Sequence, residues 1–350
     1  MFYHAGVCLR NRAFDIGFLP VRSLTRPVVS VGNLTLGGTG KTPFVIYLAG
    51  LLKQMGYGTA VLTRGYGRKK SEKNIIVQPG ENVDFSASWI GDEPALIRRR
   101  MSETWLGISS NRFYAANAIA RHKKCADRII FILDDGFQRR DIRRDLDVVM
   151  IDQMQPPYAE RLFPVGGLRE PVHEIRRARV IVVNRTGGAR ADGAQPSCIE
   201  AIMDNLRKYA PEADFFHCIQ SIQNIIPFSD WFNFEAPRQL TWQPETAFLA
   251  AAIGNPNRFK QDIQSLGIEI RGCAFFRDHA VIGKSDWEKC INAAREEKAE
   301  AIIITEKDAV KISGPPDYPL LVAIQNTELT EVGRFREILE RSISTAFENP

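Results

Sequence analysis

The chain contains no C-x-x-C pair. Its six cysteines, Cys8, Cys125, Cys198, Cys218, Cys273 and Cys290, are widely scattered. That argues against a structural zinc site or a disulfide framework and suits a reducing compartment. There is no cleavable signal peptide, and no apolar run approaches the roughly 18 residues that a helical membrane span needs. No helical span is therefore expected, and no internal repeat is evident. The usual nucleic-acid-binding modules are missing too, so nucleic acid is not an expected partner. This matters because basic residues are clustered, at Arg98–Arg100, "QRRDIRR" (138–144) and "EIRRAR" (174–179), in a chain of net charge +5. Without such modules, the clusters suit solvated faces, an anionic substrate or anionic lipid headgroups.

A length of 350 residues with 44% apolar and 25% charged content is a globular composition. It can bury one large core or two ordinary ones, and length favours two domains. Apolar runs alternate with amphipathic ones. Strands are predicted at 26–33, 59–67, 128–135, 145–152 and 179–185, with helices at 41–56 and 111–125. Continuously apolar strands alternating with helices imply a parallel sheet covered on both faces. Ligands on such sheets gather at the carboxyl ends of the strands. The rhythm breaks over 224–245, rich in aromatics and proline, which reads as a linker. A second alternating block follows, with strands at 246–253, 271–276, 301–308 and 318–324 and helices at 257–266, 285–298 and 327–346. The expected organisation is an N-terminal segment (1–25), a larger α/β domain (26–223), the linker and a smaller α/β domain (246–350).

The stretch "SVGNLTLGGTGKTP" (30–43) lies between a strand and a helix. The strict phosphate-binding pattern G-x-x-x-x-G-K-[ST] would need glycine at position 35, where Thr35 stands. The physical requirement is a run of main-chain N–H groups converging on an anion, then a helix N-terminus and a lysine. Thr35, Leu36, Gly37, Gly38, Thr39, Gly40, Lys41 and Thr42 still meet it. Lys41 would reach the β- and γ-phosphates and the Thr42 hydroxyl a Mg²⁺ ion.

In "FILDDGFQ" (131–138), Asp134 and Asp135 end an apolar strand downstream of this loop, where such enzymes hold Mg²⁺; a plain D-D-G turn is the alternative. "IGDEPALI" (90–97) offers Asp92 and Glu93 as caps of a helix starting near Pro94, or one of them as a base. His279 in "FFRDHAV" (275–281), beside Asp278, is either structural or one half of a proton relay. Arg169 in "GGLREP" (166–171) is a solvated turn residue or an anion clamp. "TEKDAVK" (305–311) reads as a surface turn.

Taken in order, "SVGNLTLGGTGKTP", "TRGYGR", "GDEP", "DDGFQ", "GGLREP", F-x-D-H and "TEKDAVK" resemble the tetraacyldisaccharide 4′-kinase (lipid A 4′-kinase) family over about residues 25–325. Thr35 is itself a mark of that family, whose loop reads T-x-G-G-x-G-K-T. The resemblance implies a P-loop NTPase-like, mostly parallel sheet flanked by helices, with a second smaller α/β domain. It implies ATP and Mg²⁺ as cofactors and transfer of the γ-phosphate to the 4′-hydroxyl of an acylated disaccharide 1-phosphate, giving lipid IVA. It makes residues 35–42 the ATP site and Asp92 the base, assisted by His279. Glu93, Asp134 and Asp135 become groups that hold Mg²⁺ or water, and Arg112 and Arg169 steady phosphate charge. The chain departs from the family at Ala280 and Ile282, where a second histidine and an aromatic are common, and at Arg139, where histidine is usual.

The family's N-terminal segment associates with membranes. Here Phe2, Val7, Leu9, Phe14, Ile16 and Phe18 with Arg10, Arg12 and Arg22 suit lying in an interface. The expected setting is peripheral, at the anionic cytoplasmic face of the inner membrane, as a monomer. Two rival readings stay open, a kinase of a small carboxylate or sugar and a nucleotide switch.

Overall fold

The computed structural model describes residues 2–65, 68, 74–81, 87–123, 125, 127–186, 196–233, 242–278, 280–312, 314 and 317–348. In chain order the strands are β1 (Val28–Gly32), β2 (Gly58–Thr63), β3 (Ile75–Val77), β4 (Trp105–Ile108), β5 (Ile129–Asp134), β6 (Leu146–Asp152), β7 (Val180–Thr186), β8 (Asp214–Pro227), β9 (Thr246–Ala251), β10 (Glu269–Phe275), β11 (Ala301–Thr305) and β12 (Leu320–Leu329). The helices are α1 (Phe2–Asp15), α2 (Lys41–Gln54), α3 (Ala87–Ile90), α4 (Asp92–Arg100), α5 (Arg112–Ala120), α6 (Pro196–Arg207), α7 (Phe228–Phe232), α8 (Pro256–Gln264), α9 (Lys284–Glu296), α10 (Glu306–Ala309) and α11 (Val332–Glu348).

Among the described residues, twelve strands join one sheet in the order β10-β9-β11-β12-β8-β7-β6-β1-β5-β2-β4-β3. Pairing is antiparallel at β8–β12 and β3–β4 and parallel elsewhere. Side chains on a strand alternate between faces, so an apolar strand covered on both sides feeds two cores. β1 does so: Val29 and Val31 pack with Phe44, Leu48 and Leu52 of α2 and Phe335 and Leu339 of α11, while Val28 packs with Ala115 and Ile119 of α5. The same device recurs in the second half. Ile302 and Ile304 meet Cys290 and Ala294 of α9, and Ile303 meets Phe259 and Ile263 of α8.

The stretch 224–245 does not begin as a linker. Asn224, Ile225, Ile226 and Pro227 finish β8 and pair antiparallel with β12, and residues 228–232 form α7. The reason is burial: Ile225 and Ile226 enter different cores, and Phe228 and Trp231 are buried behind them. The sheet consequently runs without a break between the two expected domains. β8 pairs with β7 on one side and β12 on the other.

The helix α1 lies against loops of the first half. Arg140 donates to the Asn11 carbonyl at 3.0 Å and pairs with Asp15 at 2.6 Å. Arg10 pairs with the buried Glu170 at 2.6 Å, and Arg177 supplies that carboxylate with a second guanidinium. No described helix is long and apolar enough to cross a membrane.

Candidate active site

The glycine-rich loop leaves the carboxyl end of β1 and opens α2. Gly40 caps that helix in the left-handed conformation (φ 81°) without a side-chain cap, and Gly37 is also left-handed (φ 112°). A helix of this length with an uncapped N-terminus presents free N–H groups and a positive dipole end to an anion. Carboxamides hold the loop from beneath. Asn33 donates to the Thr35 carbonyl (2.7 Å) and the Thr39 hydroxyl (3.1 Å), Asn184 to the Thr39 carbonyl (3.2 Å) and Gln220 to the Gly40 carbonyl (2.8 Å). From the side, the Leu36 N–H reaches the Gly167 carbonyl (2.6 Å) and the Arg169 N–H the Leu34 carbonyl (2.7 Å).

A methyl at Gly40 would come within 2.2 Å of Gln220 Oε1 and 2.5 Å of Asn184 Nδ2. The left-handed backbone adds about 1–2 kcal/mol for any residue with a Cβ. Gly40→Ala is therefore expected to lower both melting temperature and nucleotide affinity. Gly50→Ala, inside α2 with open space around the new methyl, should leave binding intact and stabilise by about 0.5–1 kcal/mol. Thermal melts with and without nucleotide check both.

Asp134 and Asp135 follow at the end of β5, beside β1, and their environments differ. Asp134 is buried and accepts a hydrogen bond from the Thr63 hydroxyl (2.9 Å). Burial, then the charges of Glu93 and Asp135, push its carboxyl up to about 7. Asp135 lies beyond the strand with φ 52° and is partly exposed. Arg169 Nη1 sits 2.8 Å from both of its oxygens, and Lys41 Nζ is 3.6 Å away. Burial pushes this carboxyl up, but Lys41 and Arg169, helped by Arg112, outweigh it and hold it below the usual range. Arg112, first residue of α5 behind the Asn111 cap, is buried, and among the described residues its Nε has no hydrogen-bond partner. Burial, then Arg139, pulls its guanidinium down to about 10 while Asp134 and Asp135 oppose that shift. It remains cationic at neutral pH.

Asp92 and Glu93 do not cap a helix. Gly91 is the N-cap of α4 (φ 99°), and the two acids fill the first turn, where negative charge complements the helix dipole. Glu93 lines a cleft of about 570 Å³ together with residues 36–43. The far wall of the cleft comes from the second half of the chain and includes Gly254, Asn255, Arg258, Asp278 and Lys307. Asp92 turns instead toward Lys311, whose ammonium is 3.5 Å away. The "TEKDAVK" stretch is not a surface turn. Glu306 and Asp308 are buried, as is the Lys311 side chain, because Arg100, Thr305 and Lys311 satisfy their charges.

The fold thus brings Lys41, Thr42, Glu93, Asp134, Asp135, Arg112 and Arg169 to one end of the β1–β5 crevice, with Asp92 next to Glu93. His279 lies outside the described residues; its neighbour Asp278 pairs with Lys307 at 3.5 Å. Sequence reasoning missed Asn184, Gln220, Arg258 and Lys311. Asn184 carried a usable signal, a polar residue near the carboxyl end of an apolar strand. Gln220 and Arg258 gain their meaning only from strand order.

A family profile described as Tetraacyldisaccharide-1-P 4'-kinase matches residues 1–344. The tetraacyldisaccharide 4'-kinase of Geobacter metallireducens is 35% identical over 316 residues, covering 89% of this chain and 86% of that protein. The one from Syntrophus aciditrophicus is 37% identical over 317 residues, covering 89% and 82%. Among solved structures, LpxK from Aquifex aeolicus, an "apo" form in complex with ATP, is similar at a TM-score of 0.75 and 27% identity. That match covers 98% of this chain and 96% of the other.

Proposed function

The chain belongs to the tetraacyldisaccharide-1-P 4'-kinase family, and from that premise we propose that it transfers the γ-phosphate of ATP to the 4′-hydroxyl of a tetraacyldisaccharide 1-phosphate, yielding lipid IVA for lipid A biosynthesis. One observation carries the reading at the level of residues. Lys41, which lines a cleft walled by both halves of the chain, pairs with Asp135 together with Arg169, and the buried Asp134 is the next residue along the chain. Residues 26–223 act as one lobe around it and residues 246–329 as the other, with α11 packed back onto the first.

In this mechanism residues 35–42 grip the triphosphate, with Lys41 on its terminal oxygens. The acceptor oxygen bonds to the γ-phosphorus, the β–γ bridging bond breaks, and ADP leaves with that electron pair. Phosphoryl transfer runs through a loose transition state, so positioning and charge neutralisation dominate and the hydroxyl loses its proton late. Asp92 accepts that proton, assisted by His279. Arg112 and Arg169 offset the charge that collects on the phosphoryl oxygens.

Thr42, Glu93, Asp134 and Asp135 fit Mg²⁺, because all their donors are oxygen and Asp134 is a buried acid crowded by other acids. Among the described residues no three acids, histidines or cysteines form a complete cage. That suits an ion held through one or two carboxylates and the substrate's phosphates. When bound, the cation would supply charge neutralisation on the phosphates.

A lipid acceptor also accounts for α1. Leu9 of α1, and Ile16 and Phe18 just beyond its end, are 70–79% exposed beside arginines, as an interfacial segment requires. We place it on the anionic cytoplasmic face of the inner membrane. Replacing Leu9, Ile16 and Phe18 together by serine is expected to release the protein from anionic vesicles in sedimentation; unchanged pelleting would remove α1 as the anchor.

Asp92→Ala is expected to lower kcat by about 10²–10⁴-fold, the usual worth of a positioned base, with ATP affinity nearly intact; wild-type turnover would take Asp92 out of the mechanism. The decisive experiment for the function is mass spectrometry of the lipid after incubation with ATP and Mg²⁺. A single phosphate gained on the distal sugar is the expected product. ATP hydrolysis independent of the acceptor would instead favour a nucleotide switch.

A further inference from the structure

Lys311 has no part in the reaction as described above, and its surroundings are unusual for a lysine. Its side chain is 3% exposed, whereas lysine is seldom buried unless its charge is met. Among the described residues three oxygens surround the ammonium: the Ala280 carbonyl at 3.1 Å, Asp308 Oδ1 at 3.2 Å and Asp92 Oδ2 at 3.5 Å. Of the three hydrogens an ammonium can donate, two are directed to Ala280 and Asp308, and Asp92 faces the charge as an ion pair.

Each acceptor comes from a different part of the fold. Asp308 belongs to the second half and is immobilised there. Its Oδ2 takes hydrogen bonds from the Thr305 hydroxyl (2.7 Å) and the Ala252 N–H (3.2 Å). It therefore fixes where the ammonium sits. Asp92 begins α4 in the first half. Ala280, in the second half, contributes its main-chain carbonyl.

The other end of α4 is fastened to the same block. Arg100 Nη1 lies 2.9 Å from both Glu306 oxygens and 3.2 Å from the Gln325 carbonyl, and its Nη2 lies 3.1 Å from Asn326 Oδ1. With both ends pinned by charge-assisted contacts, α4 can neither slide nor turn about its axis without breaking buried ion pairs. The first turn of that helix faces the reaction, and its orientation is set from the opposite lobe.

We propose that Lys311 is a positioning residue: its buried ammonium, anchored by Asp308 and the Ala280 carbonyl, holds the Asp92 carboxylate in its catalytic arrangement. The inference rests on the reading of Asp92 as the base. Lys311 touches no substrate in this scheme and acts only through the groups it holds.

The test is a double-mutant cycle in the full-length protein with ATP, Mg²⁺ and the disaccharide 1-phosphate, reading kcat, both KM values and ATP affinity. Lys311→Met keeps the stem and removes the charge. It is expected to lower kcat roughly 10- to 100-fold, the effect of displacing a catalytic group by about an ångström, with less than about a threefold change in ATP affinity. In an Asp92→Asn background the same substitution should change the residual rate less than about twofold, because residues acting through one another are not additive. Should Lys311→Met fail to fold, as melting and nucleotide binding will reveal, Lys311→Gln replaces it, uncharged but able to donate to the Ala280 carbonyl. Wild-type kcat in Lys311→Met, an equal loss in both backgrounds, or a loss confined to KM for ATP would overturn the proposal. Full activity in Asp92→Asn alone would overturn the base assignment itself, a separate result.

Discussion

Lys41→Met is expected to abolish acceptor phosphorylation, with a loss of at least about 10²–10³-fold in kcat/KM, the range for removing one preorganised donor from a developing anion. Lys41 is the first residue of α2, its side chain only 13% exposed and its ammonium 3.6 Å from Asp135. Methionine preserves the stem, its packing and the helix start, so the change isolates the charge. Neighbouring cations cannot take its place. Arg169 already has Nη1 against both oxygens of Asp135, and Arg112 is buried behind the acid pair. Asp135 would then lose one of its two counter-ions beside the triphosphate, so ATP affinity should fall along with turnover. A radiolabelled-phosphate assay with titrated ATP measures both. Activity within tenfold of wild type would remove Lys41 from the phosphate site.

Asp134→Asn should have opposite effects on activity and stability. The carboxylate is buried beside Glu93 and Asp135, with Thr63 as its hydrogen-bond donor. An asparagine oxygen can accept the same hydrogen bond without the charge. Activity is expected to drop at least about 10²-fold, consistent with loss of a group that neutralises or holds charge at the phosphates. Stability of the metal-free protein is expected to rise. The sign follows from proton binding: the unfolded chain loses this proton near pH 4, whereas the folded chain keeps it to about 7. Between those values the folded state binds more protons, so stability falls as pH rises, and the penalty is complete above pH 7. At about 1.4 kcal/mol per pH unit, that penalty is on the order of 2–4 kcal/mol. The melting-temperature gain of Asp134→Asn should therefore be largest near pH 8 and fade toward pH 5. A variant no more stable than wild type at pH 8 contradicts the account of Asp134 as a destabilised acid.

The parts legible in the sequence are those whose meaning is local. β1, β5, β6 and β7 are mostly apolar runs, and the phosphate loop and the Asp134–Asp135 pair are contiguous words at strand ends. β3 and β4, three and four residues long, are too short for periodicity to register. β8 alternates apolar with polar residues and crosses the point where the rhythm is expected to break, so its last four residues read as linker. The carboxamides under the loop were hidden for a different reason. Gln220 reaches Gly40 across 180 residues of sequence, a contact that exists only because β8 sits three places from β1 in the sheet. Lys311 was hidden because a charged word after a strand looks like surface until its counter-ions are seen.

The adjacent residues Arg169 and Glu170 couple the amino-terminal helix to the catalytic acids. Arg169 grips Asp135 and its carbonyl accepts the Tyr3 hydroxyl at 3.0 Å, while Glu170 takes Arg10. Trimming the first fifteen residues would therefore strip a counter-ion from a sealed carboxylate one peptide bond away from the guanidinium that holds Asp135. On the proposed reading of α1, such a deletion would remove part of the bilayer contact and the tuning beside the phosphate loop in the same cut, which is why surface substitutions, not deletions, separate the two.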